Sequence, residues 1–319
     1  MKNILGPVIG RSLHAAQIGA GLRWGLLLLV VGLPVGLIWW WVRRTPIPVA
    51  GLLLGLGSLM GLRELVVAPS QPDPLPPGLV AGLGMLAAAG LVGALIRAPV
   101  VVGIALAAPG AWVIVTDGGL VDVGWVRLVV GVVAAVGGAL AADFDHRWGT
   151  SGVPPLITAV SAAGIYVVVP ETMHASVVLG VALPIGLLGL GAIASLGSAG
   201  AFVSAGLLAW TAGIGGAARP SSIVGGLGCL GLFVAEPLAC LLTGGRSGLE
   251  AIPRRWSLIA LLAVQVVLVA IASRVAGVQG SVGAAALVVL ADLGLATALA
   301  IGGGRVLMAK GQAGAEVQG

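Results

Sequence analysis

The segment Asp143-Phe144-Asp145-His146-Arg147-Trp148 packs two carboxylates, an imidazole and a guanidinium into six residues, in a chain where only 8% of residues are charged. Two carboxylates two residues apart on an extended or frayed helix end can reach the same hard cation. An Asp-x-Asp pair that holds magnesium or manganese against a diphosphate is one way a membrane transferase engages an activated lipid or sugar donor. His146 and Arg147 would then contact phosphate oxygens. The same residues also describe a plain membrane edge, with charges at a helix end, Trp148 at the interface and Gly149 stopping the helix.

Two further acids stand alone in apolar surroundings. Asp292 lies near the middle of the run 284–301. A carboxylate at mid-bilayer costs several kcal/mol, so it is expected to face the bundle interior, a partner or water, where it can bind and release a proton. Glu236 directly precedes Pro237, and that proline frees the carbonyl of Phe233 and can open the helix. Asp292 and Glu236 are the candidates for substrate or ion coupling. Their structural alternatives are an acid hydrogen-bonded to a neighbouring helix and an acid near a helix end. Gln265, central in its own apolar run, is expected to bond to one of these acids, and Arg127 to pair with Asp122 or Asp117.

Elements that could position these groups follow from hydropathy. A composition of 59% apolar residues cannot be that of a soluble globule, where roughly a quarter of residues are charged. Apolar runs of about 20 residues, enough to cross a hydrocarbon core of about 30 Å, follow one another closely. The fold class expected is all-α: a polytopic transmembrane helical bundle of about eleven spans, with ten and twelve as alternatives. The spans fall at 24–42, 46–67, 79–96, 99–116, 123–142, 153–169, 175–195, 199–217, 221–243, 256–273 and 281–301. Pro109-Gly110 marks a kink or break in the fourth span. Residues 1–22 read as an N-terminal interfacial segment, 23–304 as a single transmembrane domain, and 305–319 as a short C-terminal tail.

The 54 glycines suit close helix packing in a membrane. Cys229 and Cys240, read as lying in one helix, would stand about 16 Å apart along its axis, beyond disulfide reach. Short loops carry the positive charge. With residues 244–255 in the cytoplasm, nine basic residues including Arg43, Arg44, Arg97 and Arg147 share that side and seven lie opposite. The net charge of +5 is thus spread over span ends and gives no reason to expect a nucleic-acid partner.

The functional expectation is a secondary transporter or flippase-like protein in a bacterial cytoplasmic membrane, with membrane lipids as partners, no cofactor, and a homo- or hetero-oligomeric state left open. An embedded enzyme acting on a lipid-linked or phosphorylated substrate is the alternative, and only there would Asp143 and Asp145 bind a divalent cation. A non-catalytic scaffold subunit is the third reading. No phosphate-binding loop, zinc-protease motif or nucleophile elbow is present, so an enzyme is the less expected outcome.

Overall fold

The computed structural model describes residues 2–65, 75–120, 122–169, 172–215, 220–243, 249, 254–277 and 282–316. Twelve helices account for nearly all of them: α1 (Lys2–Arg43), α2 (Ala50–Glu64), α3 (Pro77–Leu95), α4 (Val100–Asp117), α5 (Gly124–Trp148), α6 (Val153–Val168), α7 (Met173–Leu190), α8 (Ser198–Gly215), α9 (Pro220–Gly228), α10 (Gly231–Leu242), α11 (Arg254–Gly277) and α12 (Val282–Glu316). The all-α expectation holds. Most of the basic segment 244–255, and Glu171, lie outside the described residues.

Five helices are long and apolar enough to cross a membrane: Ala15–Arg43, Pro77–Leu95, Val100–Asp117, Gly124–Ser151 and Met173–Leu190. Counting the bent pair α9–α10 as one span makes six. The expected eleven are therefore not all matched by spanning-length helices. Val153–Val168, Ser198–Ile214, Leu258–Arg274 and Ala285–Ala298 are shorter apolar helices. At a rise of 1.5 Å per residue, 16 residues reach about 24 Å, short of the hydrocarbon thickness. The protein is nonetheless a multi-pass membrane protein, because its outer surface is apolar. Val30, Ile38, Leu95, Val101, Trp112 and Leu287 are all more than half exposed, a surface that water would not tolerate.

Several boundaries differ from the sequence reading. The chain runs as one helix from Lys2 to Arg43. Its residues 18–25 pack on α7, where Gly21 and Gly25 meet Val177, Gly180 and Val181. Pro109 leaves α4 continuous, and Pro184 does the same in α7. The ninth apolar run breaks instead at Cys229-Leu230, where α9 and α10 bend by 61°. Cys229 sits at that break and Cys240 in α10, so the two do not share one helix. Residues 305–316 continue α12 as helix.

Buried along almost its whole length, α8 is surrounded by α2, α3, α5 and α9. Its small residues make that position accessible: a Cβ on Gly51 of α2 would collide with the backbone of Gly200, and one on Gly200 would strike Gly51 in turn. Two short extended segments flank this contact. Ile47-Pro48, between α1 and α2, pairs in parallel with Ala194-Ser195, between α7 and α8. Gly197 follows with φ +71° and lies against the Pro48 carbonyl, leaving no room for a side chain.

The pairing gathers the C-terminal ends of α1 and α7 with the starts of α2 and α8. At the end of α1, Arg43 lies over the Trp39 ring at 5.7 Å and Arg44 over Trp40 at 5.3 Å. Toward the other end, Glu64 of α2 pairs with Arg23 of α1 and accepts from Trp24 Nε1 at 2.8 Å. Arg127 pairs with Asp122 at 3.0 Å, one of the two partners expected for it.

Candidate functional site

The polar cluster sits on the last two turns of α5, and those turns are helical. The expected extended or frayed end is absent, because α5 continues through Trp148 and gives way to a 3-10 turn at Gly149–Ser151. On a helix, residues two apart point to opposite sides. Asp143 and Asp145 accordingly part company and take different partners. Asp143 accepts from Arg147 Nη2 at 2.7 Å, an i,i+4 pair on one face. Asp145 is buried and accepts from two backbone amides, Leu196 at 2.8 Å and Gly197 at 2.9 Å. Both its oxygens are engaged by the chain break ahead of α8. Buried N–H groups need acceptors, and Asp145 supplies them where the Ala194-Ser195 pairing has ended and α8 has yet to begin.

Glu236 is brought into this cluster from α10. It is 1% exposed, and its Oε1 accepts from Trp148 Nε1 at 3.1 Å and from the Cys240 thiol at 3.5 Å. Its Oε2 has no hydrogen-bond partner among the described residues. Arg147 lies within electrostatic reach of Glu236 as well as of Asp143. Phe144 meets Phe233 edge-to-face at 5.4 Å and fixes the α5–α10 contact from beneath. Of the two alternatives for Glu236, the structure sets it within α10, with the break in this run upstream at residues 229–230.

Asp292 remains apart. It is half-buried on α12 between exposed neighbours such as Leu290 and Leu295, and it makes no hydrogen bond or ion pair among the described residues. The structure brings Glu236 to the Asp143 cluster rather than to Asp292. Gln265 bonds to neither acid. Its Oε1 accepts from Leu232 N at 3.0 Å, while Nε2 donates to the Cys229 carbonyl at 2.7 Å and to Ser161 Oγ at 2.9 Å. It satisfies the backbone groups released by the α9–α10 break.

A cavity of about 630 Å³ opens beside the cluster. Asp143 and His146 line it from α5, Arg97 from the α3–α4 turn, Ser198 and Phe202 from α8, and Leu241 from α10. Arg147 is turned away toward Asp143 and Glu236. Arg97 and Ser198 are the functional candidates that sequence reading missed. Arg97 was legible only as a basic span end, and Ser198 had no signal at all. Among the described residues, no three His, Cys, Asp or Glu side chains gather closely enough to hold a metal ion.

No protein family and no curated protein matches the chain in sequence. The site must be interpreted from its own chemistry.

Proposed function

We propose that the protein is a secondary carrier of flippase-like type in a bacterial cytoplasmic membrane, with Glu236 the group that binds and releases a coupling proton. The observation that carries this reading is the Glu236 carboxylate: wholly buried, held through one oxygen by Trp148, with the other unpartnered, beside an arginine that has a second acid to turn to. One free oxygen suits a proton. A sodium or calcium ion would need several more oxygen ligands than this pocket offers.

Arg147 connects the buried acid to the cavity. Ionised Glu236 and Asp143 share its charge. When Glu236 takes a proton, Arg147 belongs to Asp143 alone, and the α5–α10 contact loses its electrostatic part. The bent pair α9–α10 carries Glu236 and can respond, since broken spans are where alternating-access carriers place their coupling groups. Asp292 has no such partner and is not assigned the role. This reading takes the cavity end as cytoplasmic, supported by the excess of basic residues on that side, and keeps eleven crossings, with α9–α10 counted as one and the bilayer thinned around the short helices.

Infrared difference spectra of the purified protein between acid and alkaline buffer test it without any substrate. A carbonyl band of a protonated carboxylic acid should appear in the wild type and vanish in Glu236→Gln. Identical spectra for the two proteins would sink proton coupling through this residue. Divalent-cation-dependent turnover of a lipid-linked phosphate, lost in Asp143→Asn, would favour the embedded-enzyme reading instead.

A further inference from the structure

The geometry points to the cavity beside α5 as a binding site for an anionic amphiphile, a phosphate-type head on an apolar tail, with Arg97 selecting the charge. This deepens the carrier reading by naming its substrate class, and rests on that reading only for the claim that the bound molecule is moved.

At about 630 Å³ the cavity is within the range of small-molecule sites, and its wall is mostly Gly, Ala, Val and Phe. With Glu236 protonated, its charges do not cancel. Asp143 is held by Arg147 at 2.7 Å. Arg97 makes no ion pair and no side-chain hydrogen bond among the described residues, and His146 stands exposed at the same wall. The cavity therefore offers one unspent guanidinium, and guanidinium forks match phosphate oxygens.

The backbone at Arg97 argues the same way. The turn after α3 is a Schellman motif: the Ala98 amide donates to the Gly93 carbonyl at 2.8 Å and the Arg97 amide to Ala94 at 3.3 Å. The residue at its left-handed position is Arg97, φ +50°, where glycine is the usual occupant. A side chain there costs about 1 kcal/mol. In a chain with 54 glycines, an arginine stands at a place made for one, and its side chain lines the cavity.

The rim shows from which phase a ligand arrives. Leu95 is 84% exposed and Val101 75% on the α3–α4 side, and Leu241 and Leu242 are more than half exposed on α10. A soluble anion would meet a polar mouth. Leu241 lines the cavity, and Leu95, Val101 and Leu242 are exposed beside lining residues in sequence, so a head group reaches Arg97 while its tail stays among those side chains. The first turns of α4 and α8 begin at Val100 and Ser198 on the same wall, adding their positive ends to the field of Arg97.

Binding to the detergent-purified full chain, measured by isothermal titration, tests this with three probes: dioctanoyl phosphatidic acid, dioctanoyl phosphatidylcholine and inorganic phosphate. Phosphatidic acid should bind at least about tenfold more tightly than either of the others, the discrimination one charge-assisted contact supplies. Arg97→Gly should remove that preference and leave the melting temperature equal or higher, since glycine suits the backbone there; Arg97→Lys should keep most of it. Equal affinity for the two lipids, or phosphatidic acid bound equally by wild type and Arg97→Gly, overturns the assignment. Inorganic phosphate binding as well as phosphatidic acid identifies a soluble anion and overturns the amphiphile. The infrared band of Glu236 is read without lipid, and phosphatidic acid binding is read by wild type against Arg97→Gly at one fixed pH, so a failure of proton coupling and a failure of this site are read separately.

Discussion

Replacing Asp145 by asparagine tests the most heavily engaged residue of the cluster. Its two oxygens accept from the Leu196 and Gly197 amides at 2.8 and 2.9 Å, both buried. Asparagine keeps one acceptor and turns an NH2 group toward the other amide. One hydrogen bond to a charged acceptor, worth about 1.5–3 kcal/mol, is lost, and one amide is left facing a donor. Burying a neutral amide instead of a carboxylate returns part of this. The expected net loss is about 2–3 kcal/mol, felt first at the start of α8. Hydrogen exchange read by mass spectrometry should show the Leu196 and Gly197 amides exchanging about 30- to 150-fold faster, the factor that such a loss corresponds to. Asp145→Ala, with both amides orphaned, should exceed it. Unchanged exchange at 196–197 in both variants would refute the account of Asp145 as the acceptor holding this break.

Gln265→Leu should destabilise the protein by about 2–4 kcal/mol, because it orphans the Leu232 amide and the Cys229 carbonyl; faster exchange confined to 229–233 would confirm where the loss falls. Gly200→Val should prevent α2 from reaching α8 and abolish a monodisperse peak in size-exclusion chromatography, since backbone rather than a movable side chain stands in the way. Arg127→Ala should change the melting temperature very little, because its partner Asp122 is 90% exposed. Asp292→Asn should give equal or greater folded yield, with no described partner to lose and a cheaper residue in lipid; a drop would reveal a contact that matters.

The class of the fold was legible because apolar run length is a direct physical requirement of a bilayer. Boundaries were less so. The sequence marks Pro109 and Pro184 as breakers, yet both helices pass through them, while Cys229-Leu230 breaks the chain with no proline nearby. That break depends on Gln265, 33 residues beyond Leu232, and on Ser161 in α6, which local pattern cannot supply. In the cluster, residue types were read correctly but their directions were not. Once α5 stays helical to Trp148, Asp143 and Asp145 must diverge. Glu236 and the cluster lie about 90 positions apart, and only the α5–α10 packing shows that Trp148 reaches the acid. Arg97 is visible in sequence as a charge, but its left-handed backbone and its place at a cavity are properties of the turn.

The two-residue ladder between Ile47-Pro48 and Ala194-Ser195 has a mechanical consequence. It rivets the junction of α1 and α2 to the junction of α7 and α8, and Asp145 bolts α5 to the same spot. Five helices thereby share one pivot-free joint and must travel together as a chassis. In the carrier reading, a stroke that opens and closes a path across the bilayer comes from helices left outside the joint, among them α9–α10 moving against α5 and the α3–α4 turn at the cavity. A crosslink across the ladder should therefore be silent in a functional assay, whereas one between α5 and α10 should stall it.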